Sequence, residues 1–444
     1  MPASAQSAGV LSFEQAYQTV LDYCPRIHPP QAETVALLQA SGRVLANAVA
    51  ADRDFPPFPR ATRDGFAVLS TDVQAPPTEL RVIGQVKAGS AFAGRIAAGE
   101  AVAIMTGAAV PQGADAVVMV EYTSCATSQT QNKDNDRVEI HRSVTPRENI
   151  VAAGAEAKAG QAVLSPGTRL GPAHIALAAA CGQAKLTVFE KPRVAILATG
   201  DELVDVAETP GPQQIRNTNS YSLAAQVEAA GGDPMRLPGA PDELRKLTTL
   251  IHAGLSADIL FLSGGVSMGE FDLVELALKN IGADFFFTGA LIQPGRPVVF
   301  GEVRLSRHTN GGRGSRGALD PEAFGKAQPR RSVVPFFGLP GNPVSTMVTF
   351  DLFARPLLQA LGGATPSRLP SAKARLKKDF KTKTGLTRFL PAILDGGLEN
   401  PGVEVVPWQG SGDLLAAARA NCYLVVPPDR ELIPAGETVT ILLR

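Results

Sequence analysis

Phe13, Ala16, Val20 and Leu21 recur at helical spacing behind Ser12, a residue type that caps helix N-termini, which predicts a helix near the start of the chain. A second helix-like stretch, Glu33–Leu45, follows the proline pair at 29–30, so residues 12–50 read as helical. The segment Asp52–Asp64 is proline-rich and extended. From about Glu79 to Arg142 the period changes. Short apolar runs at Leu80–Val86, Ala101–Met105, Ala116–Val120 and Val138–Ile140 are separated by turns and by a polar loop around 124–137, predicting a small β-rich unit. Helical spacing returns at Pro172–Cys181.

From Arg193 to Arg355 strands and helices alternate. The apolar run Val194–Ala198 ends in Thr199-Gly200-Asp201-Glu202. A helix over Ser220–Ala230 stops at Gly231-Gly232, and another over Asp242–Ala253 stops at Gly254. The run Ile259–Leu262 leads through a glycine-rich turn into a helix over Asp272–Ile281. Such alternation predicts an open, mostly parallel α/β sheet, which binds ligands beyond its strand C-termini. A long helix over Pro343–Leu361 should kink or break at Pro356. Short strands at Ala372–Leu376, Phe389–Leu394, Val403–Pro407, Tyr423–Val426 and Thr438–Leu442 predict a C-terminal β-barrel. The expected fold is therefore multidomain α/β: a central open α/β sheet domain with an inserted β-rich domain and a C-terminal β-barrel. The expected boundaries are 7–52 plus 151–188, 53–150 for the insertion, 189–362, and 363–444.

Composition narrows the function classes. A chain of 444 residues suggests about two to four domains. Lys+Arg and Asp+Glu balance at 42 each, which argues against a nucleic-acid partner. No apolar run reaches the roughly 18 residues of a membrane span, and the start lacks a basic-then-apolar signal pattern. The four cysteines, Cys24, Cys125, Cys181 and Cys422, show no metal spacing and read as reduced thiols, so the expected location is cytoplasmic. The five histidines are scattered, with no zinc pattern and no nucleophile–His pairing. Residues 303–332 hold seven Arg/Lys, two carboxylates and many glycines; they read as a solvated loop, with phosphate or partner binding as the alternative.

The sharpest chemistry lies in Ser263–Asp272. Its glycines Gly264, Gly265 and Gly269 let backbone N–H groups approach an anion between a strand and a helix N-terminus, and Ser263 and Ser267 add hydroxyl donors. It lacks both the Walker ending and the dinucleotide spacing; a plain capped turn is the bland alternative. Thr199–Glu202 places two adjacent carboxylates beside that turn, a pattern suited to a hard cation such as Mg2+ or, taken alone, to a surface turn. In Gly338–Ser345, Asn342 suits an N-cap and Pro343 the first helical position. That leaves Gly338–Gly341, including Pro340 and Gly341, as a rigid loop able to present donors to an oxyanion. Pro294-Gly295-Arg296-Pro297 frames an arginine suited to oxyanions, or a plain turn arginine. Arg63-Asp64-Gly65-Phe66 and Met105-Thr106-Gly107-Ala108 read locally only as turns.

Together these stretches resemble the molybdopterin molybdenumtransferase family, the MoeA type also found in the C-terminal part of gephyrin. The resemblance spans nearly the whole chain and extends to Ala40–Ala46, Asp64–Ala67, Asn217–Asn219 and Gly410–Leu414. It implies insertion of molybdenum from molybdate into adenylylated molybdopterin, with Mg2+ bound and AMP released. By resemblance, Asp64, Thr106, Glu202 and Asp272 are catalytic positions, and Glu202 and Asp272 bind Mg2+ or position water. Asn219 and the residues of the Gly-rich turns then bind the cofactor substrate, while Arg296, Ser345 and Ser411 lie near molybdate. The resemblance further implies a homodimer with shared active sites, and hand-over of product to molybdoenzymes or their chaperones.

The chain departs from the family pattern at several points. Pro59-Arg60-Ala61-Thr62-Arg63 replaces Asp-Asn-Ser-Ala-Met, and Gly154-Ala155-Glu156 replaces Gly-Glu-Asp. Gly239-Ala240 stands where an Asp is expected, and Gln293 replaces the first Lys of Lys-Pro-Gly-Lys-Pro. In the barrel, Leu386 stands where an Arg is expected, with Arg388 nearby as a substitute. The losses of charge near Gly239 and Leu386 keep open a non-catalytic molybdopterin-binding scaffold or carrier; a third reading, a molybdopterin adenylyltransferase built on a related α/β domain, is argued against by the inserted β domain and the C-terminal barrel.

Overall fold

The computed structural model describes residues 9–126, 136–265, 273–305, 329–397 and 399–444. Ser267, Gly269 and Asp272, and most of the basic 303–332 stretch, lie outside the described residues.

Ser12 caps the helix Phe13–Tyr23 through a reciprocal pair: its hydroxyl accepts from the Gln15 N–H at 3.3 Å, and its own N–H donates to Gln15 Oε1 at 3.0 Å. The helix buries Ala16, Tyr17, Val20 and Tyr23. The expected second helix, Glu33–Leu45, does not form. Ala32–Ala36 is a strand antiparallel to Lys185–Phe189, followed by a 3-10 turn over Leu37–Ala40. Pairing with a distant strand outweighs local helical spacing, and Thr34 and Val35 are β-branched residues that suit the pleat. Ala40 and Leu45 still reach the core, where they meet Leu186 and Val188.

The strands Ala116–Met119, Gly65–Val68, Glu100–Ile104, Thr78–Val86, Arg137–Ile140 and Thr123–Ala126 lie in that order in one six-stranded sheet. Gly65 is the register partner of Ile104. That pairing sets Asp64 and Thr106 at the same end of neighbouring strands.

The central sheet contains β1 (Arg193–Ala198), β2 (Asp233–Arg236), β3 (Ile259–Ser263), β4 (Asp284–Phe287), β5 (Val299–Arg304) and β6 (Val333–Leu339). Their spatial order is β2-β1-β3-β6-β5-β4; the first three pairings are parallel and the last two, β6–β5 and β5–β4, antiparallel. Both faces are covered, which explains the unbroken apolar runs. Val194 and Ile196 enter one core with Leu223, Val227 and Val348; Ala195 and Leu197 enter the other with Leu247, Ile251 and Val274. This alternation is the two-residue period of a strand. The helix Asn219–Ala230 ends at Gly231, whose φ of 96° is the left-handed cap that glycine accepts.

The expected break at Pro356 takes a specific form. The helix Pro343–Thr349 passes into a π-helical turn, Phe350–Ala354, and resumes as Arg355–Leu361. The wider turn accommodates a residue that lacks an N–H.

At the C-terminus, Thr387–Asp395, Gly402–Val405, Ser371–Leu376, Thr438–Leu443 and Cys422–Val426 pair in that order, and the last returns to the first, closing a five-stranded barrel. A short helix, Leu414–Arg419, falls between strands where the sequence pattern pointed only to β structure. Ile292–Gln293 extends the barrel from the central region, with Gln293 in register with Arg388. Cys24, Cys181 and Cys422 are buried free thiols, and burial pushes Cys24 and Cys422 each up to about 11. Among the described residues, no helix is long and apolar enough to cross a membrane.

Candidate active site

Three glycine-bearing turns leave the central sheet at one edge because β1, β3 and β6 end in register. Ala198 pairs with Ser263, and Ser263 with Leu339. The ladder runs one step further: the Thr199 N–H donates to the Ser263 carbonyl at 2.9 Å, and the Gly264 N–H to the Leu339 carbonyl at 3.3 Å. Thr199–Glu202, Ser263–Gly265 and Pro340–Asn342 therefore share one crevice, where open parallel sheets place ligands.

Glycine is required at the centre of this crevice. Gly264 and Gly265 have φ of 91° and 63°. A Cβ on Gly264 would sit 2.5 Å from the Thr199 carbonyl oxygen, and one on Gly265 2.8 Å from the Val274 side chain. Gly341 closes from the other side, 3.6 Å from the Gly264 Cα by the same measure.

Asn219 ties the turns together. Its Nδ2 donates to the Ser263 hydroxyl at 2.8 Å and to the Gly341 carbonyl at 2.7 Å. Asn217 secures the helix that carries it, its Oδ1 accepting from the Ser220 N–H at 3.1 Å. The Ser263 hydroxyl is buried and engaged by Asn219, with Pro340 as its nearest acceptor at 3.5 Å. Ser263 therefore orients Asn219.

The adjacent carboxylates differ. Asp201 Oδ1 accepts from the Asp242 N–H at 3.0 Å, anchoring the loop after Gly239-Ala240. Glu202 is exposed, and its carboxylate lies over Gly200, whose φ of 141° is a conformation that favours glycine.

Asn342 occupies the N-cap position, but its side chain makes no capping bond. The Ser411 carbonyl instead accepts from the Val344 N–H at 3.0 Å, fixing the barrel loop Gly410–Leu414 against this helix. Ser345 is buried in the first turn. Beside it, the Gln293–Pro294 bond is cis, and Gly295, with φ of 103°, packs against Thr349 where a Cβ would collide. Arg296 is exposed and Pro297 half-buried. Arg388 is 5% exposed; its Nε donates to Gln293 Oε1 at 2.8 Å and its Nη1 to the Leu386 carbonyl at 3.1 Å. Burial lowers its pKa.

Asp64 and Thr106 meet each other on the inserted sheet. The Thr106 N–H and hydroxyl both donate to Asp64 Oδ1, and these bonds, the backbone one foremost, hold the carboxyl below its usual range. Among the described residues no hydrogen bond joins this pair to the central crevice. Two departures from the family pattern also meet: Arg60 pairs with Glu156 at 2.9 Å. Glu156 is exposed and Arg60 only half-buried, so the pair is worth about 0–1 kcal/mol. Sequence reasoning did not single out the Thr199 side chain, which lies buried against Gly264 and Gly265; its only signal was its place at the end of an apolar strand.

The doubly covered sheet with a glycine-lined edge, the curled inserted sheet and the closed barrel define a multidomain protein built around a molybdopterin-binding type of α/β domain. Family models match the chain in three blocks. They are the MoeA N-terminal region (domain I and II) over residues 11–182, the probable molybdopterin binding domain over 195–360, and the MoeA C-terminal region (domain IV) over 373–443. The chain is 32% identical over 419 residues to a molybdopterin molybdenumtransferase of Bacillus subtilis, covering 93% of this chain and 90% of that one. It is also 32% identical over 438 residues to one of Haemophilus influenzae, covering 97% and 98%. The crystal structure of a molybdopterin biosynthesis moeA protein from Pyrococcus horikoshii superposes with a TM-score of 0.72 at 30% identity, over 98% of this chain and 100% of that one. The chain belongs to the MoeA family of molybdopterin molybdenumtransferases, transferases of molybdenum cofactor biosynthesis.

Proposed function

We propose that this chain inserts molybdenum from molybdate into adenylylated molybdopterin and releases AMP. The observation that carries the reading is the convergence of Thr199–Glu202, Ser263–Gly265 and Pro340–Asn342 on one sheet edge in a chain of this family. Glycine backbones there let N–H groups approach a phosphoanhydride, and preorganised donors stabilise the charge that grows as its P–O bond breaks and AMP leaves. Water supplies the oxygen that replaces the broken P–O bond, and the two dithiolene sulfurs replace two molybdate oxygens, which leave as water with the thiol protons and protons from solvent.

Mg2+ commonly uses one or two carboxylates and takes further oxygens from substrate phosphates. Glu202, exposed at this edge, is a donor of that kind. Among the described residues no cluster of three or more His, Cys, Asp or Glu could hold a metal without substrate. Asp272 is the second proposed ligand and lies outside the described residues. Bound there, Mg2+ would neutralise phosphate charge. Arg296, Ser345, Ser411 and the buried Arg388 form the molybdate side; Arg388 supplies the positive charge that Gln293 and Leu386 lack.

Asp64 and Thr106 sit on a different sheet from the crevice. That separation supports a homodimer in which one subunit presents this pair to its partner's crevice. The setting is the cytoplasm, with the product passed to molybdoenzymes or their chaperones. The test is an assay with adenylylated molybdopterin, molybdate and Mg2+. Molybdate-dependent AMP release is expected, and its absence overturns the reading. Asp272→Asn should abolish release while the protein stays folded.

A further inference from the structure

Among the described residues, two buried polar atoms at the crevice have no partner. Thr199 Oγ1 and Asn219 Oδ1 are each closed from solvent and unbonded. Both belong to the Gly264 neighbourhood. Thr199 Oγ1 would lie 3.2 Å from a Cβ on Gly264 and 2.9 Å from one on Gly265. Asn219 reaches the same place through Ser263 and Gly341. An unbonded buried polar atom is costly, and at the edge of a ligand crevice such an atom is free to bond a ligand.

The orientation of Asn219 is fixed by chemistry. The Gly341 carbonyl can only accept, so the amide nitrogen must face it, and Oδ1 is the orphan. That atom is a pure acceptor. It repels the oxygens of phosphate and molybdate and bonds only to a group carrying hydrogen. The Thr199 hydroxyl can donate or accept. An acceptor and a hydroxyl that both border the Ser263–Gly265 turn offer what the edge of an aminopyrimidine ring needs, where N–H groups adjoin a ring nitrogen or carbonyl.

We propose that Thr199 and Asn219 recognise the N–H-bearing edge of the substrate's heterocycle, not its phosphates and not molybdate. The edge comes from the pterin or from adenine, which share this chemistry. The proposal rests on the reading of the crevice as the adenylylated molybdopterin site, but its test needs no turnover. Because both orphan atoms are covered, the ring edge enters with a small shift of the Gly264–Gly265 turn.

The test uses the full-length protein and three probes: 6-hydroxymethylpterin followed by its fluorescence, AMP, and molybdate. Thr199→Val keeps the shape and removes the hydroxyl. It should leave the unliganded protein at least as heat-stable as the wild type, because no bond is lost. Affinity for one heterocycle should fall about five- to tenfold, and Thr199→Ser should restore it. Loss confined to pterin assigns the edge to pterin, and loss confined to AMP assigns it to adenine. Molybdate affinity should not change. Unchanged heterocycle affinity in Thr199→Val, a loss seen only with molybdate, or a wild-type protein that binds neither heterocycle each overturns the proposal. Failure of molybdate-dependent AMP release with heterocycle binding intact overturns the reaction instead.

Discussion

The backbone N–H and the hydroxyl of Thr106 both donate to the same carboxylate oxygen of Asp64, at 2.6 and 2.8 Å. The pair favours the ionised acid, so the folded-state pKa is depressed. By linkage, its contribution to stability is complete above the ordinary carboxylate value and is lost as pH falls through the depressed one. Asp64 is therefore ionised throughout the neutral range and causes no loss of activity between pH 5 and 8. Thr106→Val removes one donor and keeps the backbone donor, so a carboxyl NMR titration should show Asp64 moving up only part of the way. Asp64→Asn should cut turnover about 100-fold or more, with little change in thermal stability because the site is exposed.

Ser263→Ala tests the role of that hydroxyl in holding Asn219. The substitution leaves one Asn219 amide hydrogen unbonded inside the crevice while the bond to Gly341 remains. The expected cost is about 1–3 kcal/mol in denaturant unfolding, with a higher KM for the pterin substrate. A change in turnover without either effect would mean that the hydroxyl contacts substrate directly.

Much of this arrangement was legible in the chain. Strand runs such as Val194–Ala198 and Ile259–Leu262 are long, apolar and closed by glycine turns, so both the parallel sheet and its edge could be read from them. Glu33–Leu45 has helical spacing, but its structure is set by Lys185–Phe189, about 150 residues away, and periodicity reports only local order. Asp64 and Thr106 looked like isolated turns for the same reason, since the Gly65–Ile104 register that joins them is not local. The family departures were visible singly, but not that Arg60 bonds Glu156 or that Gln293 bonds Arg388.

The Gln293–Arg388 bond gives a directional prediction. Arg388 is buried beside an uncharged amide, so its positive charge remains available to an oxyanion. Gln293→Glu would pair with and neutralise that charge. It should keep or raise thermal stability while increasing the KM for molybdate about tenfold, with no change in the KM for the adenylylated pterin. Equal KM values for molybdate in the two proteins would remove Arg388 from the molybdate side.

Asp351, on the π-helical turn, accepts a hydrogen bond from the Tyr423 hydroxyl of the barrel at 3.0 Å. Burial raises its pKa more than that bond and the nearby Arg444 and Arg355 lower it. For an acid the sign is then the reverse of the Asp64 case. The folded state holds the proton more tightly than the unfolded chain, so stability falls as pH rises from the ordinary carboxylate value through the raised one. Asp351→Asn removes the ionisation and keeps an oxygen to accept from Tyr423. A side-chain hydrogen bond from Gln226 also lowers the carboxyl, by less than burial raises it. The variant should melt on the order of 2–4 °C higher than the wild type at pH 8. The gain should shrink on acidification and vanish below about pH 3, where the native acid is protonated in both states. A gain that is equal at both pH values would show that the carboxyl is not titrating, and a loss at pH 8 would show that its negative charge stabilises the join between helix and barrel.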